Sequence, residues 1–210
     1  SSQIICKNLN VPFISYKNML FNDRAVAMPT PLPEDDQLPC QTISKAASSG
    51  WIWNIPLKNR FGNGYVYSSD FLDESQAEKE LRKYLGTEGS ETEARHLKMR
   101  VGRLSHCWEK NCLAVGLSQG FIEPLEATAL MVVQDTVEIF LENFVRGDLS
   151  NTYKDQANEK VNLIFDGIKN YIVTHYKLNS RSDTDYWIAN RENENISDEL
   201  KAIINTWDKG

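Results

Sequence analysis

The chain has 210 residues, with 23 lysines and arginines against 29 acidic side chains and a formal net charge of −6. That length can bury a sizeable core as one domain or two closely packed halves, and the acidic balance, with no basic stripe, argues against a nucleic-acid partner. No apolar run reaches the ~20 residues that span a membrane, no signal peptide opens the chain, and the four cysteines (Cys6, Cys40, Cys107, Cys112) suit reduced thiols of a cytoplasmic protein better than a disulfide framework.

Residues 1–50 are the least periodic. Val11–Phe21 holds a candidate strand, and Phe21–Met28 reads as a turn followed by a strand. Prolines at 29, 31, 33 and 39, with Glu34-Asp35-Asp36 between them, predict an exposed loop without regular structure. Trp51–Leu57 and Tyr65–Ser69 then form a predicted hairpin, with Trp51, Trp53 and Ile55 alternating onto one face. Lys58–Gly64 is its expected turn, the glycines taking positive φ. Gly62 and Gly64 do not make a dinucleotide fingerprint, because Tyr67 stands where a third glycine is needed.

Asp73 caps the next helix, with Gln76 at the reciprocal position and Gly86 as its stop. Ala77, Leu81, Tyr84 and Leu85 are its apolar face. Leu97, Met99 and Val101 alternate as a strand, and Trp108–Leu117 is the expected antiparallel partner. From about 128 the chain turns helical: 128–146 with Gly147 behind it, 151–177, a short segment near 186–190, and 198–207 capped by Ser197. The fold class is therefore α+β, an antiparallel sheet layer in residues 1–127 followed by an α-helical subdomain in 128–210.

The stretch Leu113–Phe144 joins these halves. A short apolar run, Leu113–Leu117, reads as a buried strand; it breaks at Gly116 and Ser118–Gly120, passes through Phe121-Ile122-Glu123-Pro124, and becomes a helix. Leu130, Val133, Val137, Phe140, Leu141 and Phe144 recur at helical spacing as a buried face. A loop feeding a helix N-terminus offers unpaired N–H groups at the positive end of the macrodipole. Glu126, read as first-turn, is favoured there by the dipole alone. On periodicity alone Trp51 and Trp53 read as core aromatics. His106, Cys107 and Cys112 lack a fourth ligand, so no metal is expected.

The wording of two segments carries a resemblance. Gly116-Leu117-Ser118 with Phe121-Ile122-Glu123-Pro124-Leu125-Glu126-Ala127-Thr128, and upstream Trp51-Ile52-Trp53-Asn54-Ile55-Pro56, resemble the flavin-dependent tryptophan halogenases. The second segment matches that family's W-x-W-x-I-P. The resemblance runs over nearly all the residues and matches only the C-terminal part of such an enzyme, in keeping with a chain that starts at Ser1 without methionine.

The resemblance implies a bacterial enzyme of a larger, FAD-dependent monooxygenase-like fold that uses FADH2, O2 and chloride or bromide to halogenate an aromatic, with a separate flavin reductase as partner and a homodimer as its assembly. It implies that Gly116, Leu117, Ser118 and Leu125 lie against the flavin, that Thr128 and Ala129 hold the halide through backbone amides, and that Glu126 lies near a catalytic lysine. Ala127 stands where the family has serine, and Ala129 where it has glycine. Trp51 and Trp53 would stand beside the flavin and keep substrate from it.

Residues 175–187 resemble the stretch that lines the substrate pocket, giving Tyr176, Asp183, Tyr186 and Trp187 as candidates. Lys177 replaces an aromatic there, which predicts a lysine facing solvent or paired with Asp183 and a preference for an indole, phenol or peptide-borne aromatic bulkier than free tryptophan. The family's GxGxxG and catalytic lysine precede the matched region, so this chain alone is expected neither to hold FAD tightly nor to turn over. Two rivals remain: an FAD-dependent monooxygenase that does not halogenate, and a non-enzymatic helical interaction module.

Overall fold

Alternation, caps and i, i+4 spacing place the regular elements, and long-range pairing then assembles them. The computed structural model describes residues 7–32, 39–86 and 92–207. Cys6, Pro33 and the Glu34–Asp36 run lie outside the described residues. By Cα proximity the chain divides into two bodies, each built from separated segments: 1–20, 100–175 and 194–210 form the first, 21–99 and 176–193 the second.

In the first body, β1 (Phe13–Ser15), β7 (Gly102–Leu104) and β10 (Gly120–Phe121) form a three-stranded antiparallel sheet in the order β1-β7-β10. Gly102 has φ +142°, and a Cβ there would lie 2.2 Å from the Ile14 carbonyl oxygen, so this crossing admits only glycine. A short hairpin, β8 (Trp108–Glu109) and β9 (Cys112–Leu113), follows. Long helices in this body are α2 (Ala129–Arg146), α3 (Lys154–Lys177, all but its last two residues) and α5 (Asp198–Trp207). On α3, Ala157, Val161, Phe165, Ile168 and Ile172 are buried at helical spacing. Ser197 caps α5 as expected, its Oγ accepting from the Leu200 N–H at 3.1 Å.

A polar cluster sits inside this body. Tyr16 donates to Asp166 Oδ1 at 2.8 Å, the Arg103 guanidinium reaches Asp166 Oδ2 at 2.7 Å, and Lys169 Nζ lies 3.6 Å from the same carboxylate. Burial by itself opposes ionisation of Asp166, but the Arg103 and Tyr16 hydrogen bonds outweigh it, and the carboxyl falls below its ordinary value. A carboxylate depressed in the native state adds stability that is complete above the unfolded value of about 4 and is lost as pH falls through the native one. The thermal midpoint should therefore drop on acidification below about pH 4, and Asp166→Asn should flatten that part of the profile. An identical acid limb in the variant would show that acid breaks something else.

The second body is organised by a five-stranded antiparallel sheet in the order β3-β4-β5-β2-β6, made of β2 (Arg24–Thr30), β3 (Ile43–Ala47), β4 (Gly50–Leu57), β5 (Arg60–Tyr67) and β6 (Arg95–Lys98). α1 (Glu74–Leu85) packs on one face, where Val26, Met28, Ile52, Tyr65 and Tyr67 meet Ala77 and Leu81. Asp73 caps α1 by accepting from the Gln76 N–H at 2.8 Å. α4 (Asp185–Glu192) belongs to this body as well.

Several expectations are corrected. The hairpin turn is Lys58-Asn59, and Gly62 and Gly64 lie inside β5 without positive φ. Gly64 is there because a Cβ would come within 2.0 Å of the Trp53 ring across the strand pair. The Leu97–Val101 run splits: β6 pairs with β2, and β7 pairs with β1 and β10, so Trp108–Leu117 is partner to neither. Pro29 lies within β2, opposite Gly62, at a point where β6 no longer runs alongside and no N–H is needed. Of the apolar run Leu113–Leu117 only Leu113 is in a strand, the end of β9, and a 3-10 turn follows at Gly116–Ser118.

On α2 the buried residues are Val132, Thr136 and Asn143, while Leu130, Val137 and Leu141 face outward. Phe140 and Phe144 pack edge-on to Trp108, at 4.7 and 5.9 Å between centroids.

The seat under Trp53 gives a prediction. Gly64→Ala should overpack the β4–β5 pair, costing about 1–3 kcal/mol and rotating the indole. Chemical denaturation with tryptophan fluorescence reads both effects. Unchanged stability and emission would mean that the ring has room to move away.

Candidate active site

In the first body the site grows out of the turn between β9 and α2. Gly116 opens the 3-10 turn with φ +61°, a conformation a side chain would strain. Ser118 closes it, its Oγ accepting from the Val115 N–H at 2.9 Å and donating to the Val115 carbonyl at 2.7 Å. The chain then adds β10 and passes Glu123, which is fully buried. At Pro124–Ala127 it turns again: the Ala127 N–H reaches the Pro124 carbonyl at 3.2 Å, and Ala127 takes φ +54°. A left-handed alanine costs about 1–2 kcal/mol.

α2 starts only at Ala129, with Thr128 as its N-cap. Glu126 therefore stands three residues before the helix rather than in its first turn, which holds no acidic residue. The dipole explanation for its position fails, and its carboxylate instead lies 3.1 Å from His175 Nε2. Ala129 is helical, so its amide points along the axis as a glycine amide would. The Thr128 side chain makes no capping hydrogen bond, and the first bond of the helix is from the Val132 N–H to the Thr128 carbonyl. The N–H groups of residues 129–131 are thus left for an outside acceptor.

The start of α2 borders a cleft of about 250 Å³ whose walls are mostly apolar. Four sequence-expected residues line it together, Gly116, Leu117, Thr128 and Ala129, as do Phe121, Phe165 and Ile168. Ser118, Leu125 and Glu126 do not line it. A slot with apolar walls and free amides at one end suits a flat ring edge beside an anion. A larger depression of about 340 Å³, between His106, Glu109 and the Lys154–Asp166 part of α3, contains none of the expected site residues.

In the second body, Trp51 is buried and Trp53 partly so, with ring centroids 6.1 Å apart on the sheet face opposite α1. Tyr176, Tyr186 and Trp187 come together and are buried. Tyr176 and Trp187 stack at 6.0 Å, and Tyr186 stands edge-on to Trp187 at 5.1 Å. Their polar atoms have internal partners: Asn22 donates to the Tyr176 hydroxyl at 3.0 Å, Tyr186 donates to Asn22 at 2.9 Å, and the Trp187 indole donates to the Ala47 carbonyl at 2.8 Å. Asp183 is exposed and paired with Arg181, whose hydrogen bond holds the carboxyl at about 2. Arg181 in turn lies over the Trp187 ring.

Lys177 differs from expectation. Its ammonium donates to the Asn193 carbonyl at 3.0 Å, and Asp183 is taken by Arg181, so no bare cation intrudes on the aromatic group. Glu126 belongs to the first body and Trp53 to the second. Sequence reasoning missed His175 as a partner of Glu126. The only signal was a histidine in the last turn of a long helix, where a cation is favoured. Among the described residues no group of three or more His, Cys, Asp or Glu side chains forms a metal site, and no helix is long and apolar enough to cross a membrane.

Comparison with known proteins points one way. The family model described as tryptophan halogenase matches residues 1–210. The chain is 39% identical over 200 residues to tryptophan 6-halogenase SttH of Streptomyces toxytricini, covering 95% of this chain and 38% of that protein. It is 38% identical over 205 residues to 7-chloro-L-tryptophan 6-halogenase KtzR of Kutzneria sp. (strain 744), covering 97% of this chain and 40% of that protein. Among solved structures, SttH superposes with a TM-score of 0.91 at 38% identity, over 97% of this chain and 40% of that one. BrvH, a flavin-dependent halogenase from Brevundimonas sp. BAL3, gives 0.89 at 35% identity, over 98% and 42%. The chain thus spans about two-fifths of the length of these relatives.

Proposed function

Because the chain belongs to the tryptophan halogenase family, we propose that it supplies the halide-binding and flavin-edge side of an enzyme that chlorinates or brominates an electron-rich aromatic, using FADH2, O2 and halide. One observation carries the reading: the uncapped N-terminus of α2 opens on a mostly apolar cleft lined by Gly116, Leu117, Thr128 and Ala129. The residues present fit a flavin edge and a halide, since Gly116 and Leu117 line a mostly apolar cleft and no side chain caps the start of α2 beside it.

Reduced flavin, when bound, supplies with O2 the oxidising equivalent that makes halide electrophilic. This chain's own part is to position and exclude. Gly116 and Leu117 would hold the ring edge, and Ser118, bonded to both backbone groups of Val115, would fix the turn that carries them. The Thr128 and Ala129 amides would hold the halide at the positive end of α2, at a distance where a dehydrated anion keeps hydrogen bonds. Glu126 would act beside the family's lysine. Trp51 and Trp53, with Tyr176, Asp183, Tyr186 and Trp187, would shape the substrate side. The substrate is an aromatic small molecule or a peptide-borne aromatic. Lys177 Nζ donates to the Asn193 carbonyl, so the desolvation cost of an unpaired ammonium does not count against free tryptophan. A separate flavin reductase, a second copy of the protein and a cytoplasmic location complete the reading.

The test is a bromide soak of crystals of a family-length protein carrying these residues. Anomalous scattering should place bromide within hydrogen-bond distance of the Thr128 and Ala129 amides. Bromide bound elsewhere, with this helix end occupied only by water, would refute the assignment.

A further inference from the structure

The contact between Glu126 and His175 joins segments 49 positions apart, and both of its ends are fixed by backbone. His175 Nδ1 lies 2.9 Å from the Tyr171 carbonyl, one turn back on α3. A carbonyl only accepts, so Nδ1 carries a proton and donates. The ring also stands edge-on to the Tyr171 ring, with centroids 4.9 Å apart. These two contacts fix the imidazole plane and aim Nε2 outward at Glu126 Oε1, 3.1 Å away. Glu126 is fixed from its own side by the Pro124–Ala127 turn and the left-handed Ala127 that follows it.

Two bare acceptor atoms would repel at that separation, so one proton lies between Nε2 and Oε1. With Nδ1 already a donor, the pair is imidazolium with carboxylate, or neutral imidazole with carboxylic acid.

Stability does not explain this arrangement. Both side chains are more than a third exposed, at 36% and 38%, and exposed ion pairs add little to folding free energy. Glu126 has also given up the helix-dipole contact that a first-turn position would provide. We propose that His175 is a positioning residue for Glu126: it holds the carboxylate away from the α2 terminus and keeps one proton at a defined place beside it. This deepens, and rests on, the reading of Glu126 as part of the active site. It also separates two anions, since a carboxylate turned toward the α2 amides would compete with halide for the same donors.

The experiment has two arms. In the first, ring nitrogen resonances of the 15N-labelled chain report the state of each histidine. His175 should show a protonated Nδ1, and Glu126→Gln should move its Nε2 resonance while leaving His96 and His106 in place. A His175 with bare Nδ1, or one indifferent to Glu126→Gln, overturns the proposal. The second arm uses a family-length protein. His175→Leu should lower kcat about ten- to a hundredfold with KM unchanged, as expected for a displaced catalytic group, and His175→Gln, which keeps a donor, should recover most of it. Equal losses in both variants, or no loss in either, overturn the positioning role. Absence of halogenated product from the wild type would instead sink the functional reading, and the nitrogen resonances would still decide whether the pair exists.

Discussion

Asn158→Leu should lower the thermal midpoint of the chain by about 10 °C, more than any surface substitution. Asn158 is buried on α3, and its side chain takes up three backbone groups at the start of the β8–β9 hairpin. Its Oδ1 accepts from the Cys107 and Trp108 N–H groups at 3.0 and 2.8 Å, and its Nδ2 donates to the Trp108 carbonyl at 2.9 Å. Leucine fills a similar volume but leaves two donors and one acceptor dry, at about 1–3 kcal/mol each. Partial rearrangement brings the sum to about 3–5 kcal/mol, which for a protein of this size is a shift of about 10 °C. Trp108 should loosen with it, because Phe140 and Phe144 pack on that indole. Calorimetry measures the midpoint. A shift of only a degree or two would mean that water reaches the hairpin and replaces the amide.

The second large effect is on activity. In a family-length protein, Glu126→Gln should reduce halogenation at least about a hundredfold, the lower range for loss of an acid–base group. The change is isosteric and the side chain is exposed, so folding should be intact. A neutral amide can still meet His175, but it cannot carry negative charge beside a cationic reaction partner. Thermal midpoints of variant and parent should agree, and product formation under saturating halide should separate them. Activity within a fewfold of the parent would remove Glu126 from the chemistry.

How much of this was legible in the sequence depends on the range of the interaction involved. The Asp73 and Ser197 caps act over three residues, and both hold as read. The helices expected at 128–146, 151–177 and 198–207 appear as Ala129–Arg146, Lys154–Lys177 and Asp198–Trp207, because apolar spacing on one helix is a local property. Gly62 and Gly64 misled: they looked like turn formers, whereas Gly64 is small to admit the Trp53 ring from the neighbouring strand.

Strand partners were equally hidden. Nothing in Leu97–Val101 says that its first half pairs with β2 and that the residues beyond it join β1. The helix start was misjudged because Ala127 adopts a left-handed conformation that alanine rarely takes, and this moved Glu126 out of the first turn. The cluster of Tyr16, Arg103, Asp166 and Lys169 also escaped notice, since its members lie up to 153 positions apart and only folding brings them together. The two motifs were readable in full because they are contiguous. What each faces was not.

Product mass tests the central claim most directly. A family-length protein carrying these residues, supplied with FADH2, O2, chloride and an electron-rich indole, should yield a product with the isotope doublet of a single chlorine. Replacing chloride by bromide should shift that doublet to the bromine pattern. A product that has gained oxygen and no halogen, in the presence of either salt, would contradict the account and identify the enzyme as a monooxygenase on the same scaffold.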